Sequence, residues 1–289
     1  MGDPRRQIEG EGEGDGLRMT GVVCSCNEAH HLPACLGGLA FCDELIVIDL
    51  DSTDDTAEVA ERCGARVVHH RRVPVVEEVR RFAVEQASHD WVAFLDPDMV
   101  IPSHRGMALR RFVADHPQAA RVWADGRNHF RGKPIHHGRW GGLHGFLVAL
   151  HRRRVDLRPE VHEGIRPLPG FSDERMTAER EADLVQHFWV ASTRQMIEKH
   201  RRYARQEGPI RYAKGERFGW AGALRRVAHE FKRALIWRAG WRDGASGVFL
   251  AGVWAWYAWA CLWSVRRVQR DRPIGEAGPS EPLDRRHAA

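Results

Sequence analysis

The chain has 289 residues and a formal net charge of +5, enough length for one large domain or two modest ones around a real hydrophobic core. Six cysteines without a second Cys or His pair beside them exclude a zinc ribbon or a disulfide scaffold, and buried free thiols suit a reducing, cytoplasmic setting. The basic residues gather from Arg194 to Arg242 and at Arg266, Arg267 and Arg270, beside an apolar segment, which favours an anionic membrane surface over nucleic acid.

Residues 1–17 are rich in Gly and Glu and nearly devoid of apolar side chains, so a disordered acidic tail is expected there. That stretch has no apolar h-region, and no signal peptide is expected. Met19 to Ser25 reads as the first strand, closed by Asn27-Glu28. Leu32, Cys35, Leu36 and Leu39 follow at helical spacing, with Pro33 tolerated in the first turn. Leu45 to Ile48 is a second strand ended by Asp49. Ser52-Thr53-Asp54-Asp55 then supplies N-cap and acidic first-turn chemistry for a helix that stops at Gly64. Val67-Val68 makes a third strand, and a helix is predicted from Glu77 to Ser88 with Val79, Phe82, Ala83 and Gln86 on one face. Such alternation implies parallel strands joined by right-handed crossovers, an α/β sheet of nucleotide-binding type.

Trp91 to Leu95 is the next apolar run, and it stops at Asp96-Pro97-Asp98. Ligands of open α/β sheets collect at the carboxyl ends of strands, where two carboxylates suit a hard divalent cation and the diphosphate it holds. A polar turn is the plainer reading, since Asp and Pro both favour turns. Strand-end carboxylates recur at Asp49 and at Asp51, Asp54 and Asp55; for the last two a helix cap suffices, whereas Asp49 precedes the cap. Neither G-x-G-x-x-G nor a P-loop follows the first strand. The site therefore suits a nucleotide whose base is read by a carboxylate and whose phosphates are neutralised by a metal.

Past Arg121 the pattern loosens into a Gly-, His- and Trp-rich stretch, Gly126 to Gly145, that fits an acceptor-binding region before a strand at Phe146 to Leu150. Beyond Ala191 the chain is helical in pattern. Gly244 to Val265 carries no charged residue and contains four tryptophans. A helix of that length could cross a hydrocarbon core of roughly 30 Å, lie flat at the interface where Trp prefers to sit, or be a buried core helix. Arginines on both sides fit headgroup contact best.

Three stretches carry a resemblance: Val22 to Glu28, Ile46 to Thr56, and Trp91 to Asp98. As an ordered set they resemble glycosyltransferase family 2, and specifically a subgroup that includes the lipopolysaccharide core glucosyltransferases. The likeness extends to Val161-His162-Glu163, His187, Lys199 with Tyr203, and Gly240 through Gly247. It implies the GT-A fold, a Rossmann-like, mostly parallel sheet flanked by helices, with a C-terminal helical, membrane-associated extension. It also implies inverting transfer from a nucleotide-diphosphate sugar with a divalent cation, Mn²⁺ or Mg²⁺, to a glycolipid, polysaccharide or lipid-linked acceptor in cell-envelope biosynthesis. Residues 18–190 would form the catalytic domain (18–125 for the nucleotide sugar, 126–190 for the acceptor). Residues 191–270 would lie at the cytoplasmic face of a membrane, peripherally or as a single span, and 271–289 would be a second disordered tail.

By that resemblance Asp49 contacts the base, Cys26, Asn27 and Glu28 line the nucleotide pocket, Asp96 serves ribose and metal, and Asp98 ligates the cation. The family usually has Gly where Asp51 and Asp55 stand, and commonly Glu at the position of Met99; Asp51 adds negative charge near the diphosphate. Inverting transfer needs a base for the acceptor hydroxyl. Glu163 is the candidate and His162 the second choice, against an ordinary surface pair. His187 is a possible third metal or diphosphate ligand, although a lone His is more often structural. Arg80 could meet a phosphate or the strand-end carboxylates, and Trp140 could stack on an acceptor sugar or simply pack.

Two other readings stand beside this one. A sugar nucleotidyltransferase would need a Gly-rich basic loop where Cys24-Ser25-Cys26-Asn27-Glu28 stands. A non-catalytic, membrane-bound nucleotide-sugar binding protein would explain Met99 and Asp51. No nucleic-acid-binding motif is present.

Overall fold

The protein is described by a computed structural model that covers residues 17–73, 77–157, 165–190 and 193–271. Val161-His162-Glu163, and all but the innermost residue of each expected tail, lie outside the described residues. The chain forms two compact units, Met1–His129 with Leu143–Trp189, and Phe130–Gly142 with Val190–Ala289.

The first unit begins with β1 (Met19–Ser25), α1 (Leu32–Gly38), β2 (Glu44–Asp49), α2 (Thr56–Arg62), β3 (Arg66–His69), α3 (Glu77–Glu85) and β4 (Trp91–Leu95). Then come β5 (Met99–Val100), α4 (Ser103–Asp115) and the long β6 (Ala119–Phe130). β7 (Lys133–Pro134) is a short strand of the second unit. β8 (His144–His151), β9 (Val155–Leu157), β10 (Ile165–Pro167), β11 (Ser172–Met176) and β12 (Val185–Val190) complete the strands. The main sheet runs β3-β2-β1-β4-β8-β6-β12-β5, with β11 beside β6. β3, β2, β1 and β4 are parallel, as the alternation of strands and helices demands, and β8 joins β4 antiparallel.

Successive strand residues point to opposite faces, and the two cores divide along that alternation. Val23, Val47, Trp91, Ala93 and Leu95 pack on one side with Leu32, Leu36 and Leu109 of α1 and α4. Val22, Ile46, Ile48, Val92 and Phe94 pack on the other with Val79 and Ala83 of α3. α3 ends at Glu85, three residues short of the expected Ser88. The cause is a competing acceptor: the Ser88 N–H donates to Glu44 Oε2 at 2.9 Å, while Ala87 N–H turns back to Val84 O.

The second unit is built on α5 (Thr193–Ala213), α6 (Trp220–Lys232) and α7 (Gly244–Asp271), with a π turn at Arg233–Trp237 and a 3-10 turn at Gly240–Asp243. Asp243 anchors that last turn: its carboxylate accepts from the N–H groups of His136 (3.1 Å) and His137 (2.8 Å) and lies 3.0 Å from His137 Nδ1. Trp254 Nε1 donates to Glu230 Oε2 at 2.8 Å, tying α7 to α6. The Gly240 to Gly247 stretch is a packing device, because a Cβ on Gly247 would lie 1.7 Å from Gly240 O. Among the described residues, Gly240–Asp271 is one helical stretch long and apolar enough to cross a membrane by length and composition.

Candidate active site

The register of the parallel strands brings their carboxyl ends to one edge: Ser25 pairs with Asp49 and Val23 with Leu95. The loops after β1 and β2 are laced together there. Asn27 Oδ1 accepts from Thr53 N–H at 2.7 Å, Asn27 N–H donates to Ser52 Oγ at 3.0 Å, and Glu28 N–H donates to Thr56 Oγ1 at 3.1 Å. Asn27 and Asp51 both have positive φ, 59° and 50°, a conformation that Asn and Asp tolerate better than other side-chain-bearing residues. Asp54, rather than Asp55, caps α2, accepting from Thr56 N–H and from Ala29 N–H. Asp55 occupies the N-cap position without a side-chain cap bond.

Asp49 is 3% exposed. Its Oδ2 accepts from Ser52 N–H at 3.4 Å and faces His69 Nδ1 at 3.2 Å. Its Oδ1 is buried and makes no hydrogen bond among the described residues. A buried acceptor left unmade costs about 1–3 kcal/mol, more when charged, so this oxygen is poised for a donor from outside the chain. Cys26 lies close by, its thiol pushed up by burial, with Arg72 opposing and Asp49 adding to the shift. Asp51 is exposed and its carboxylate accepts from Arg72 N–H at 3.0 Å.

Asp96 to Met99 form a tight turn, with Met99 N–H donating to Asp96 O at 2.9 Å. β12 then pairs antiparallel with β5, setting His187 opposite Met99. Phe188 N–H donates to Asp98 O at 2.7 Å, and His187 Nε2 stands 3.4 Å from Asp98 Oδ2. His187 Nδ1 is 2.8 Å from Asn128 Oδ1. An amide oxygen only accepts, so the Nδ1–H of His187 donates to it and Nε2 is the ring nitrogen that faces Asp98. A ring nitrogen and a carboxylate oxygen at that distance are compatible when a cation or a proton lies between them. The residues fit a divalent ion, and an imidazole in the set suits Mn²⁺ better than Mg²⁺.

Asp96 points elsewhere. It lines a cavity of about 290 Å³ with Arg80, Phe94, Arg121, Trp123 and Ile165. Arg80 lies over the Phe94 ring, 5.7 Å from its centroid, and lines the same cavity as Asp96. Asp96, Asp98 and His187 thus do not form one ligand set. Among the described residues, the set with three donor atoms within 4.8 Å of one another is Glu28, His30 and His31. Burial, followed by the charge of Asp96, pushes the Cys24 thiol up to about 12, and Cys35 is raised for the same reasons.

Sequence reasoning missed Asn128, Arg121 and Trp123. All three belong to β6, and the signal was available: a strand that buries Asp125 before Gly126 and Arg127, Asn128 and His129 after it carries polar groups that a purely structural strand would not. Trp140, expected in the acceptor half, belongs to the second unit instead, edge-on to His200 and Trp254 at 5.6 and 5.4 Å.

The model of glycosyl transferase family 2 matches residues 20–174, just over half of the chain. An uncharacterized glycosyltransferase of Mycobacterium tuberculosis is 34% identical over 143 residues, 49% of this chain and 62% of that protein. The lipopolysaccharide core biosynthesis glycosyltransferase LpsC of Rhizobium meliloti is 23% identical over 250 residues, covering 84% of this chain and 89% of LpsC. Several other curated relatives are spanned over only 23% to 36% of their own length. The crystal structure of glucosyl-3-phosphoglycerate synthase from Mycobacterium tuberculosis, in complex with Mn²⁺, UDP and glucosyl-3-phosphoglycerate, superposes with a TM-score of 0.45 and 17% identity, over 65% of this chain and 78% of that one.

Proposed function

The chain belongs to glycosyltransferase family 2 and has its GT-A fold, and on that premise we propose that it is an inverting, metal-dependent glycosyltransferase using a nucleotide-diphosphate sugar. The observation that carries this reading is the buried, unsatisfied Oδ1 of Asp49 at the same strand edge as Asp96 and Asp98. One carboxylate awaits a donor such as a base N–H, and two others stand where a cation and a diphosphate would be held.

In this reading Cys26, Asn27, Glu28 and Asp51 border the nucleotide, and Arg80 and Asp96 face its ribose and phosphates across the cavity they share. Asp98 and His187 would hold the cation, whose contribution when bound is to neutralise the departing diphosphate. The acceptor hydroxyl oxygen bonds to the anomeric carbon as the bond from that carbon to the diphosphate oxygen breaks. The bonding pair leaves with the nucleoside diphosphate, and Glu163, or His162 in second place, takes the hydroxyl proton. Residues 18–190 supply this chemistry.

The acceptor is a glycolipid, polysaccharide or lipid-linked sugar of the cell envelope, reached from the cytoplasmic face. Trp220, Trp237 and Trp241 of the helical unit are 56%, 63% and 60% exposed, with Arg225, Arg226, Arg238 and Arg242 interleaved. That mixture suits the headgroup layer. Thermal unfolding with UDP or GDP, with and without Mn²⁺, tests the donor site: a ligand at a hundred times its Kd should add about 2.7 kcal/mol of stability. Donor turnover by an Asp98→Ala variant at the parent rate, or no shift with any nucleoside diphosphate, would overturn the assignment.

A further inference from the structure

The helical unit holds a concavity with no part in the chemistry above. Arg201 and Arg205 stand one turn apart on α5, and Trp256, Trp259, Trp263 and Arg267 fall at three- and four-residue steps along α7, a spacing that puts each set on one helix face. These six residues line a groove of about 330 Å³. One end is set by a close approach of α5 to α7, since a Cβ on Gly208 would lie 2.1 Å from Ser264 Oγ. Ala204 and Ala260 keep the floor shallow.

The groove's charge is one-sided. Some arginines of this unit are matched: Arg194 with Glu198, Arg211 with Glu207, and Arg226 with Glu216. Among the described residues, no carboxylate lines the groove, and none lies within ion-pair distance of Arg201, Arg205 or Arg267. Three guanidinium groups around one hollow repel each other until an anion enters. Guanidinium forks match phosphate oxygens in pairs. The Trp259 and Trp263 rings are nearly parallel, 25° apart with centroids at 5.8 Å, and give a flat apolar surface for the carbon skeleton that carries the phosphate.

We propose that this groove binds a phosphate ester on a sugar or glycerol headgroup. The site belongs to the helical unit and supplies it with a specific anchor rather than a diffuse positive surface. The ester has two sources, a lipid headgroup in a bilayer or a soluble sugar phosphate, and two probes distinguish them.

The test uses the full chain, flotation with phosphatidylcholine vesicles containing or lacking phosphatidylglycerol, and calorimetric titration with glucose 1-phosphate. Arg201→Gln/Arg205→Gln/Arg267→Gln is compared with Arg202→Gln/Lys214→Gln/Arg270→Gln, which removes the same charge outside the groove. Binding to anionic vesicles, or to glucose 1-phosphate, should weaken at least about tenfold, or 1.4 kcal/mol, in the groove variant and far less in its charge-matched counterpart. Binding only to vesicles identifies a lipid headgroup, and binding to glucose 1-phosphate as well identifies the ester itself. Should the groove variant fail to fold, Arg267→Glu at its exposed position should give the same selective loss. Equal weakening in the two triple variants, or a parent chain that binds neither probe, would overturn the proposal.

Discussion

In the α/β unit, arginines are answered by carboxylates: Arg121 by Asp173, Arg127 by Glu181, Arg152 by Asp90 and Arg175 by Asp125. In the helical unit, Arg201, Arg205 and Arg267 meet no carboxylate among the described residues, while Arg139 and Arg266 rest on the indoles of Trp254 and Trp263 at 4.7 and 4.4 Å. The first unit thus settles its positive charge internally and gathers negative charge at its strand ends. The second leaves positive charge on an aromatic surface. An interaction completed within the chain contributes to folding, whereas one left open is a candidate for a ligand, and the two units should respond differently to loss of charge.

The largest effect should come from the strand ends. Asp98→Asn keeps the side-chain volume but removes the charge, and should lower transfer by about 10² to 10³, the usual cost of losing one charge-stabilising group. Melting temperature should hardly change. If steady-state rates survived while the fold loosened, the strand-end carboxylates would be structural and the contrast between the units would fail. In the helical unit the corresponding loss is steric: Gly247→Ala forces a Cβ onto Gly240 O and should cost about 1–3 kcal/mol, read in a thermal melt.

A third effect is set by pH. His151 is buried, edge-on to Trp91, with its Nδ1 unbonded. Burial, and then Arg154, lower its pKa to about 4. Unfolded, the imidazole titrates near 6.5, so between these values the unfolded chain binds more protons. Stability is therefore complete above about pH 6.5 and falls as pH drops towards 4, by up to about 3 kcal/mol. His151→Phe should flatten that acid limb in urea titrations. Arg121→Ala, which releases Asp173 and the Ile165 carbonyl, should cost about 1–2 kcal/mol. Arg267→Ala should stay within about 0.5 kcal/mol; equal losses would erase the distinction drawn between internal and open charge.

How much of this could be read from the sequence follows from the range of the interactions involved. β1, β2 and β4 are continuous apolar runs ended by carboxylates, so their order and the edge carrying Asp49, Asp96 and Asp98 were legible locally. The pairing of β12 with β5, which delivers His187 to Asp98, joins residues nearly ninety positions apart, and no local pattern encodes it. His187 was singled out, but Asn128, which fixes its tautomer, was hidden in a strand read only as irregular sequence. The Arg-Trp groove shows the opposite case. Its residues lie on the expected faces of α5 and α7, yet their convergence depends on the close approach at Gly208, which only the packed structure shows.

The smallest effect sharpens the comparison most finely, because it concerns an acidic residue that neither pairs with an arginine side chain nor lies buried. Asp51 is exposed at φ 50° where the family usually carries Gly. Replacing it by Gly removes the strain of that conformation, about 0.5–1 kcal/mol, but also loses the bond to Arg72 N–H, worth about the same. Net stability should therefore move by no more than about 0.5 kcal/mol. The charge is a separate matter. If the diphosphate lies roughly 8 Å away in solvent, removing one negative charge is worth about 0.5 kcal/mol, or roughly a twofold lower KM for the donor with kcat unchanged. A KM that rises instead would show that the Asp51–Arg72 bond holds the nucleotide loop in shape, and that even this exposed carboxylate belongs to the internally completed set.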